Sequence, residues 1–342
     1  MNKQNFNDLH AVFMAAGSER IGGGHIMRCL TLADGLTAKG WHCQFAAHGA
    51  DQDFLQRIVA GRYDRASVDE TAGALLVVDD YALDREFEKP MRDRFQKIMV
   101  IDDLVDRHHD CDLLLDQTYK RSPVDYENLV PGRATILAGS GYALLRPAFR
   151  EQRARVIPRS FPDGRAFKIL INFGMHDETD MGEAVLKTLL DTVDPEKFEF
   201  TMILAGAVDT HQRLKKMLSS YDPCPVTVLD YVDDMAQLMA ENDLMIGAFG
   251  TTSWERCCLG LPSVALVVAD NQQAIADGLA EKGAALCPGR WPDAGADAVV
   301  DAVLDLLSDP DAYLRMSKIA SSTVDGKGLG RVVGAIEKLF SE

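Results

Sequence analysis

A chain of 342 residues is long enough for two domains, each with a substantial core. Its 47% apolar and 26% charged residues are ordinary for a globular protein, and a formal net charge of −16 argues against nucleic acid or an anionic membrane surface as the main partner. No apolar run reaches the length of a membrane span, and the first ten residues, MNKQNFNDLH, lack the basic start and apolar core of a secretory signal, so a cytoplasmic location is expected.

The first apolar run, 11–16, reads as a strand, and the pattern over 25–39 reads as a helix with Leu30, Leu32, Ala33 and Leu36 on its apolar side. Between them lies Ile21-Gly22-Gly23-Gly24-His25-Ile26-Met27-Arg28-Cys29, the most informative stretch of the chain. Glycines at a strand-to-helix junction let backbone approach a ligand, and the helix start beyond them offers unpaired N–H groups. An imidazole there can exchange a proton near neutral pH. Two readings stand for this local pattern: chemistry beside a phosphate or sugar, or a glycine-rich turn with a helix-capping histidine. It is neither a dinucleotide fingerprint nor a Walker loop.

Further strands are expected at 42–47, 74–79, 97–102, 112–115 and 134–137, with helices at 51–60 and 84–95. The runs Ala74-Leu75-Leu76-Val77-Val78 and Ile98-Met99-Val100-Ile101 fit central buried strands, and they end in the acid pairs Asp79-Asp80 and Asp102-Asp103. In open α/β sheets ligands gather at such carboxyl ends. The segment His108-His109-Asp110-Cys111-Asp112 carries metal-ligating residue types, but its spacing matches no zinc pattern, and no metal site is expected. The seven cysteines form no CxxC pair and are expected to be free thiols.

From Arg146 to Arg165 the composition turns to proline and arginine, reading as a linker or a helix followed by one. A second alternating series follows. Its strands are expected at 167–173, 199–205, 225–229, 243–247 and 263–268. Its helices are expected at 181–192, 209–220, 233–241, 252–259, 271–282, 293–307 and 310–320, with a last amphipathic helix from Gly328 to Phe340. The expected organisation is α/β throughout: an N-terminal Rossmann-like domain (1–150), a linker (151–165), a second Rossmann-like domain (166–325) and a terminal helix (326–342), with a cleft between the domains.

Two loops of the second half carry candidate ligand groups. Phe173-Gly174-Met175-His176-Asp177 follows a strand and either holds a diphosphate through backbone N–H groups or is a plain turn capped by Asp177 or Thr179. Ile246-Gly247-Ala248-Phe249-Gly250-Thr251-Thr252-Ser253-Trp254-Glu255 runs from a strand through hydroxyl-rich small residues into a helix. Glu255 either accepts from a ribose diol or closes a capping box onto Thr252. The next strand ends at Ala269-Asp270-Asn271-Gln272, where Asp270 or Asn271 can also serve as a helix cap.

In order, the motifs IGGGHIMRCLTLA, VVDDY, IDDLVDRHHDCDLLLDQ, GYALLRPAF, FGMHD and IGAFGTTSWERCCLGLPS followed by ADNQ resemble one family, the UDP-2,4-diacetamido-2,4,6-trideoxy-beta-L-altropyranose hydrolases of the pseudaminic acid pathway, which serves flagellin glycosylation. The resemblance runs from about Val12 to about Gly283. It implies the GT-B architecture shared with the glycosyltransferase that makes lipid II, and no cofactor. It implies His25 as the base for water attacking an anomeric carbon with inversion while UDP leaves. By the same resemblance Gly22, Gly23, Gly24, Asp79, Tyr81, Tyr142 and Arg146 border the sugar. Gly174, Asp177, Gly250, Thr251, Thr252, Ser253, Glu255, Asn271 and Gln272 would hold the nucleotide. The partner is then a UDP-sugar, and a monomer is expected.

The sequence departs from the family pattern. An F-R-x-D pattern in the first strand reads Met14 and Ala16 here, a D-H-Y loop carries Asp80, a G-G-x-D loop carries Met175 and His176, and a following Asn is Asp180. Losing the first-strand Asp removes a group that could orient the imidazole, and losing the Arg removes a charge near the sugar. Two alternatives to hydrolysis therefore accompany the resemblance: a UDP-sugar-dependent glycosyltransferase, and a catalytically impaired nucleotide-sugar-binding derivative.

Overall fold

In the computed structural model the described residues are all but 1–8, 17–22, 47–54, 56–58, 68–70, 175–180, 205–207 and 342. The chain divides into two units, Met1–Arg146 with Lys327–Glu342, and Pro147–Gly326. The first unit contains β1 (His10–Ala15), α1 (Gly24–Thr37), β2 (His42–Ala46), β3 (Asp64–Arg65), β4 (Gly73–Asp79), α2 (Arg85–Met91), β5 (Phe95–Ile101), β6 (Leu113–Asp116) and β7 (Thr135–Ala138). Its seven strands lie in the order β3-β2-β1-β4-β5-β6-β7, and every pair is parallel.

Both faces of this sheet are covered, which is why its strands read as unbroken apolar runs. Along β1, Ala11, Phe13 and Ala15 join one buried cluster with α1, while Val12 and Met14 join a second cluster with Leu76, Val78 and Val100. The sequence expectation of a helix over 84–95 is corrected here: α2 stops at Met91, with Pro90 inside it, and β5 has begun by Phe95. The helix expected at 51–60 lies mostly outside the described residues.

The second unit opens with α3 (Pro147–Val156), inside the segment read as a linker. It continues through β8 (Phe167–Asn172), α4 (Met181–Thr192), β9 (Phe198–Ile203), α5 (Val208–Leu218), β10 (Val226–Leu229), α6 (Met235–Glu241), β11 (Leu244–Ala248), α7 (Thr252–Cys258), β12 (Ser263–Leu266), α8 (Gln273–Lys282), α9 (Gly295–Ser308) and α10 (Pro310–Thr323). The five strands are parallel in the order β10-β9-β8-β11-β12. Ile169, Ile171, Ile246 and Leu266 face a core closed by α4 and α9 through Val185, Leu189, Val299 and Val303.

The last helix, α11 (Gly328–Leu339), belongs to the first unit, where Val332, Val333 and Ile336 complete the cluster under α1. Among the described residues no helix is long and apolar enough to cross a membrane.

Both sheets share one feature that positions function. Counting strands within each unit, the order 3-2-1-4-5 reverses beside the first strand. The crevice outside the carboxyl ends of the first and fourth strands is where such sheets hold ligands. In the first unit those ends are Ala15 of β1 and Asp79 of β4, paired in register. In the second they are β8 and β11, where Asn172 pairs with Gly247.

Candidate functional site

Gly23 precedes α1, and His25 is its second residue, so the turn of α1 nearest β1 carries the imidazole over the sheet end. Arg28 follows three residues later, one turn on and on the same face. Both side chains meet Asp79, the last residue of β4, which is completely buried. His25 Nδ1 lies 2.6 Å from Asp79 Oδ1. Arg28 grips the same carboxylate with a fork, Nε donating to Oδ2 at 2.6 Å and one terminal nitrogen to Oδ1 at 2.6 Å. The other terminal nitrogen donates to Asp103 Oδ2 at 3.0 Å.

That geometry sets the tautomer. A carboxylate held by a guanidinium accepts, so Nδ1 must carry the proton. Arg28 also approaches Nδ1 at 3.1 Å, but both groups are donors aimed at the shared Oδ1, not at each other. The lone pair is then on Nε2, which takes no hydrogen bond from the described residues, while 8% of the His25 side chain is exposed. Burial alone would push the Asp79 carboxyl up, but the Arg28 and His25 charges and hydrogen bonds outweigh it and hold the group well below the usual carboxylate range. The imidazole thus leans on a fixed negative charge, the arrangement that suits a general base.

Tyr81 completes the surroundings of His25. Its ring meets the imidazole edge-on at 4.6 Å between centroids, and its hydroxyl donates to Asp103 Oδ1 at 2.6 Å. Tyr142 is half-buried against the core of the first unit, and Arg146 is half-buried at its end. Gly23 and Gly24 immediately precede His25 at the start of α1, and Gly22 lies outside the described residues.

One sequence expectation needs correcting here. Asp79, expected at the sugar, is sealed from solvent, and its two oxygens meet His25 and Arg28. It orients the imidazole from β4, whereas position 16, just after the first strand, carries no acid. Met14 is buried in the core, and Ala16 donates its N–H to the Asp79 carbonyl at 2.9 Å. Arg28 and Asp103 were missed. The signal for Arg28 was its one-turn spacing from His25; for Asp103 it was the second acid pair at a strand end.

The segment His108–Asp112 is tied up internally. His109 Nδ1 lies 2.7 Å from buried Glu88, and Asp110 and Asp112 accept from Arg92 and Arg133. Among the described residues no cluster of three metal-ligating side chains forms.

In the second unit, Gly174 follows β8 with φ of +105°, a conformation that favours glycine, and its N–H donates to Asn172 Oδ1 at 2.9 Å. Asp177 lies outside the described residues. Gly250, Thr251, Thr252 and Glu255 are half-buried at the β11–α7 turn, and Asn271 is exposed after β12. Gln272 Oε1 accepts from the Val268 N–H at 3.0 Å, fixing that loop. Ser253 corrects a second expectation: it is fully buried and its Oγ accepts from Arg256 at 2.8 Å, so it faces the protein interior.

Residues 171–328 match the model of the glycosyltransferase family 28 C-terminal domain. The spore coat polysaccharide biosynthesis protein SpsG of Bacillus subtilis is 28% identical over 213 residues, covering 62% of this chain and 61% of that protein. The UDP-2,4-diacetamido-2,4,6-trideoxy-beta-L-altropyranose hydrolase of Campylobacter jejuni is 25% identical over 287 residues, covering 80% of this chain and 97% of that protein. The chain spans about three fifths of the length of the first two curated relatives it matches. Among solved structures, Acinetobacter baumannii MurG superposes with a TM-score of 0.66 at 16% identity, covering 96% of this chain and 99% of that one. The fold is therefore GT-B, α/β with two parallel sheets, and residues 171–328 of the second unit are similar to the glycosyltransferase family 28 C-terminal domain.

Proposed function

We propose that this protein hydrolyses a UDP-linked 2,4-diacetamido-trideoxy sugar to the free sugar and UDP. The single observation that carries the reading is the Asp79–His25 pair at the strand reversal of the first unit. The hydrolase from Campylobacter jejuni, matched over nearly its whole length, supports the substrate class.

His25 Nε2 takes a proton from water as the water oxygen bonds to the anomeric carbon. The bond from that carbon to the diphosphate oxygen breaks, and UDP leaves with the electron pair. Attack from the face opposite the leaving group inverts the anomeric centre. Asp79 keeps Nδ1 protonated and balances the imidazolium as it forms. Backbone N–H groups after β8 and β11 counter the charge that develops on the diphosphate.

His25→Ala should lower turnover by about 10²–10⁴-fold and leave UDP affinity unchanged. UDP release from UDP-linked diacetamido sugars, read by a coupled assay, tests this; a variant turning over at the wild-type rate removes His25 from the mechanism.

The match of the second unit to a glycosyltransferase domain favours one other reading, transfer of the sugar to an acceptor hydroxyl activated by the same base. Free sugar formed from UDP-sugar alone supports hydrolysis; release only with an acceptor supports transfer. The third possibility, an impaired binding protein, is motivated by Met14 and Ala16; the buried Asp79 beside His25 supports catalysis over it, and UDP-sugar binding without turnover would favour it.

A further inference from the structure

Among the described residues two arginines are buried, Arg28 and Arg256, and they are treated in opposite ways. Arg28 is 4% exposed and paired with two carboxylates. Arg256, on α7, is 1% exposed and has no carboxylate within ion-pair distance among the described residues. One terminal nitrogen donates to the Ala248 carbonyl at 3.2 Å and to Ser253 Oγ at 2.8 Å. The other has no partner. It lies against Gly247, within 3.5 Å of where a Cβ on that residue would sit. The Phe249 ring is 5.8 Å from the guanidinium carbon. Burial pushes the group down to about 10, so it stays charged at neutral pH.

An uncompensated buried charge costs several kcal/mol, and folds keep one only where something offsets it. Neutral partners do so only in part here. The guanidinium is bonded to Ala248 and Ser253 at the two ends of the loop, and among the described residues no carbonyl takes the N–H groups of Gly250 and Thr251. An anion taken by those N–H groups would supply the counter-charge that Arg256 lacks.

We propose that Arg256 is a positioning residue that makes the β11–α7 loop selective for the diphosphate of its ligand over the nucleoside. The inference rests on the proposed UDP-sugar reading for the identity of the nucleotide. Arg256 does not touch the ligand. It acts by fixing the loop through Ala248 and Ser253 and by setting a positive potential behind it, in a low-dielectric setting where charge is weakly screened.

Calorimetric titration of the full chain with UDP, uridine and inorganic pyrophosphate tests it. Arg256→Gln keeps a donor for the loop and loses the charge. It should weaken UDP and pyrophosphate about tenfold and leave uridine unchanged, and Arg256→Lys should restore most of the loss. Ser253→Asp puts a carboxylate beside the guanidinium; it should raise the melting temperature and weaken pyrophosphate as Arg256→Gln does. This second variant decides the matter if Arg256→Gln fails to fold.

Equal loss of UDP and uridine affinity, or undiminished pyrophosphate binding in the charge-neutralised variants, overturns the assignment. Wild-type protein that binds pyrophosphate, loses it in Arg256→Gln, and gains nothing from the uridine moiety overturns the UDP reading and leaves Arg256 in place. Wild-type protein that binds neither overturns both.

Discussion

In the proposed mechanism the chemistry turns on which nitrogen of His25 holds its proton, and the contact with Asp79 places it on Nδ1. Asp79→Asn replaces an acceptor pair with an amide whose nitrogen would face Nδ1 or Arg28, so the imidazole loses its preferred tautomer. Turnover should fall by at least about 10²-fold with little change in KM, as steady-state kinetics would read. The same group sets an acid limit. Its folded pKa is depressed below an unfolded value of 3.8. Its stabilisation is thus fully present above that pH and is lost as pH falls from there toward the folded value. Urea midpoints between pH 6 and pH 2.5 should drop more steeply below pH 4 for wild type than for Asp79→Asn, and parallel curves would contradict the linkage. The histidine was legible in the sequence because glycines and a helix start framed it. The role of Asp79 was not, because a strand-end acid reads the same whether it faces a ligand or a buried imidazole 54 positions away.

Strands were the more legible elements. A parallel sheet covered on both faces demands unbroken apolar runs, and β4 and β5 show them. The two-residue β3 had no such signal, since Asp64 and Arg65 are exposed and pair in the sheet with Gln44 and Phe45. The length of α2 was misjudged because an apolar period runs through the turn into β5. In the second unit, close approach of β11 to β8 depends on Gly247: an added Cβ would sit 2.3 Å from the Asn172 carbonyl oxygen. Neither backbone can yield without opening the sheet beside the β11–α7 loop, the proposed nucleotide site. Gly247→Ala should therefore cost about 1–3 kcal/mol in urea denaturation and weaken UDP binding, whereas an unchanged midpoint would mean the strands part freely.

At the scale of the whole molecule, alternating strands and helices implied two Rossmann-like halves, but the strand order came only from tertiary pairing. The destination of the terminal helix was hidden for a similar reason: an amphipathic pattern says that a face is buried, not against which core. Here α11 closes the first unit with Val332, Val333 and Ile336 at 0%, 4% and 0% exposure. Deleting residues 327–342 should cost that unit about 5 kcal/mol or more, read by calorimetry as an early transition, while the second unit keeps its own core and its transition. The central claim is that water, activated by His25, replaces UDP at an anomeric carbon. Proton NMR of the wild type and His25→Ala with a UDP-linked 2,4-diacetamido-trideoxy sugar, and no acceptor, tests it most directly. The expected result is free sugar of inverted anomeric configuration from the wild type and almost none from the variant. Retained configuration, release only after an acceptor is added, or equal release from both proteins would contradict it.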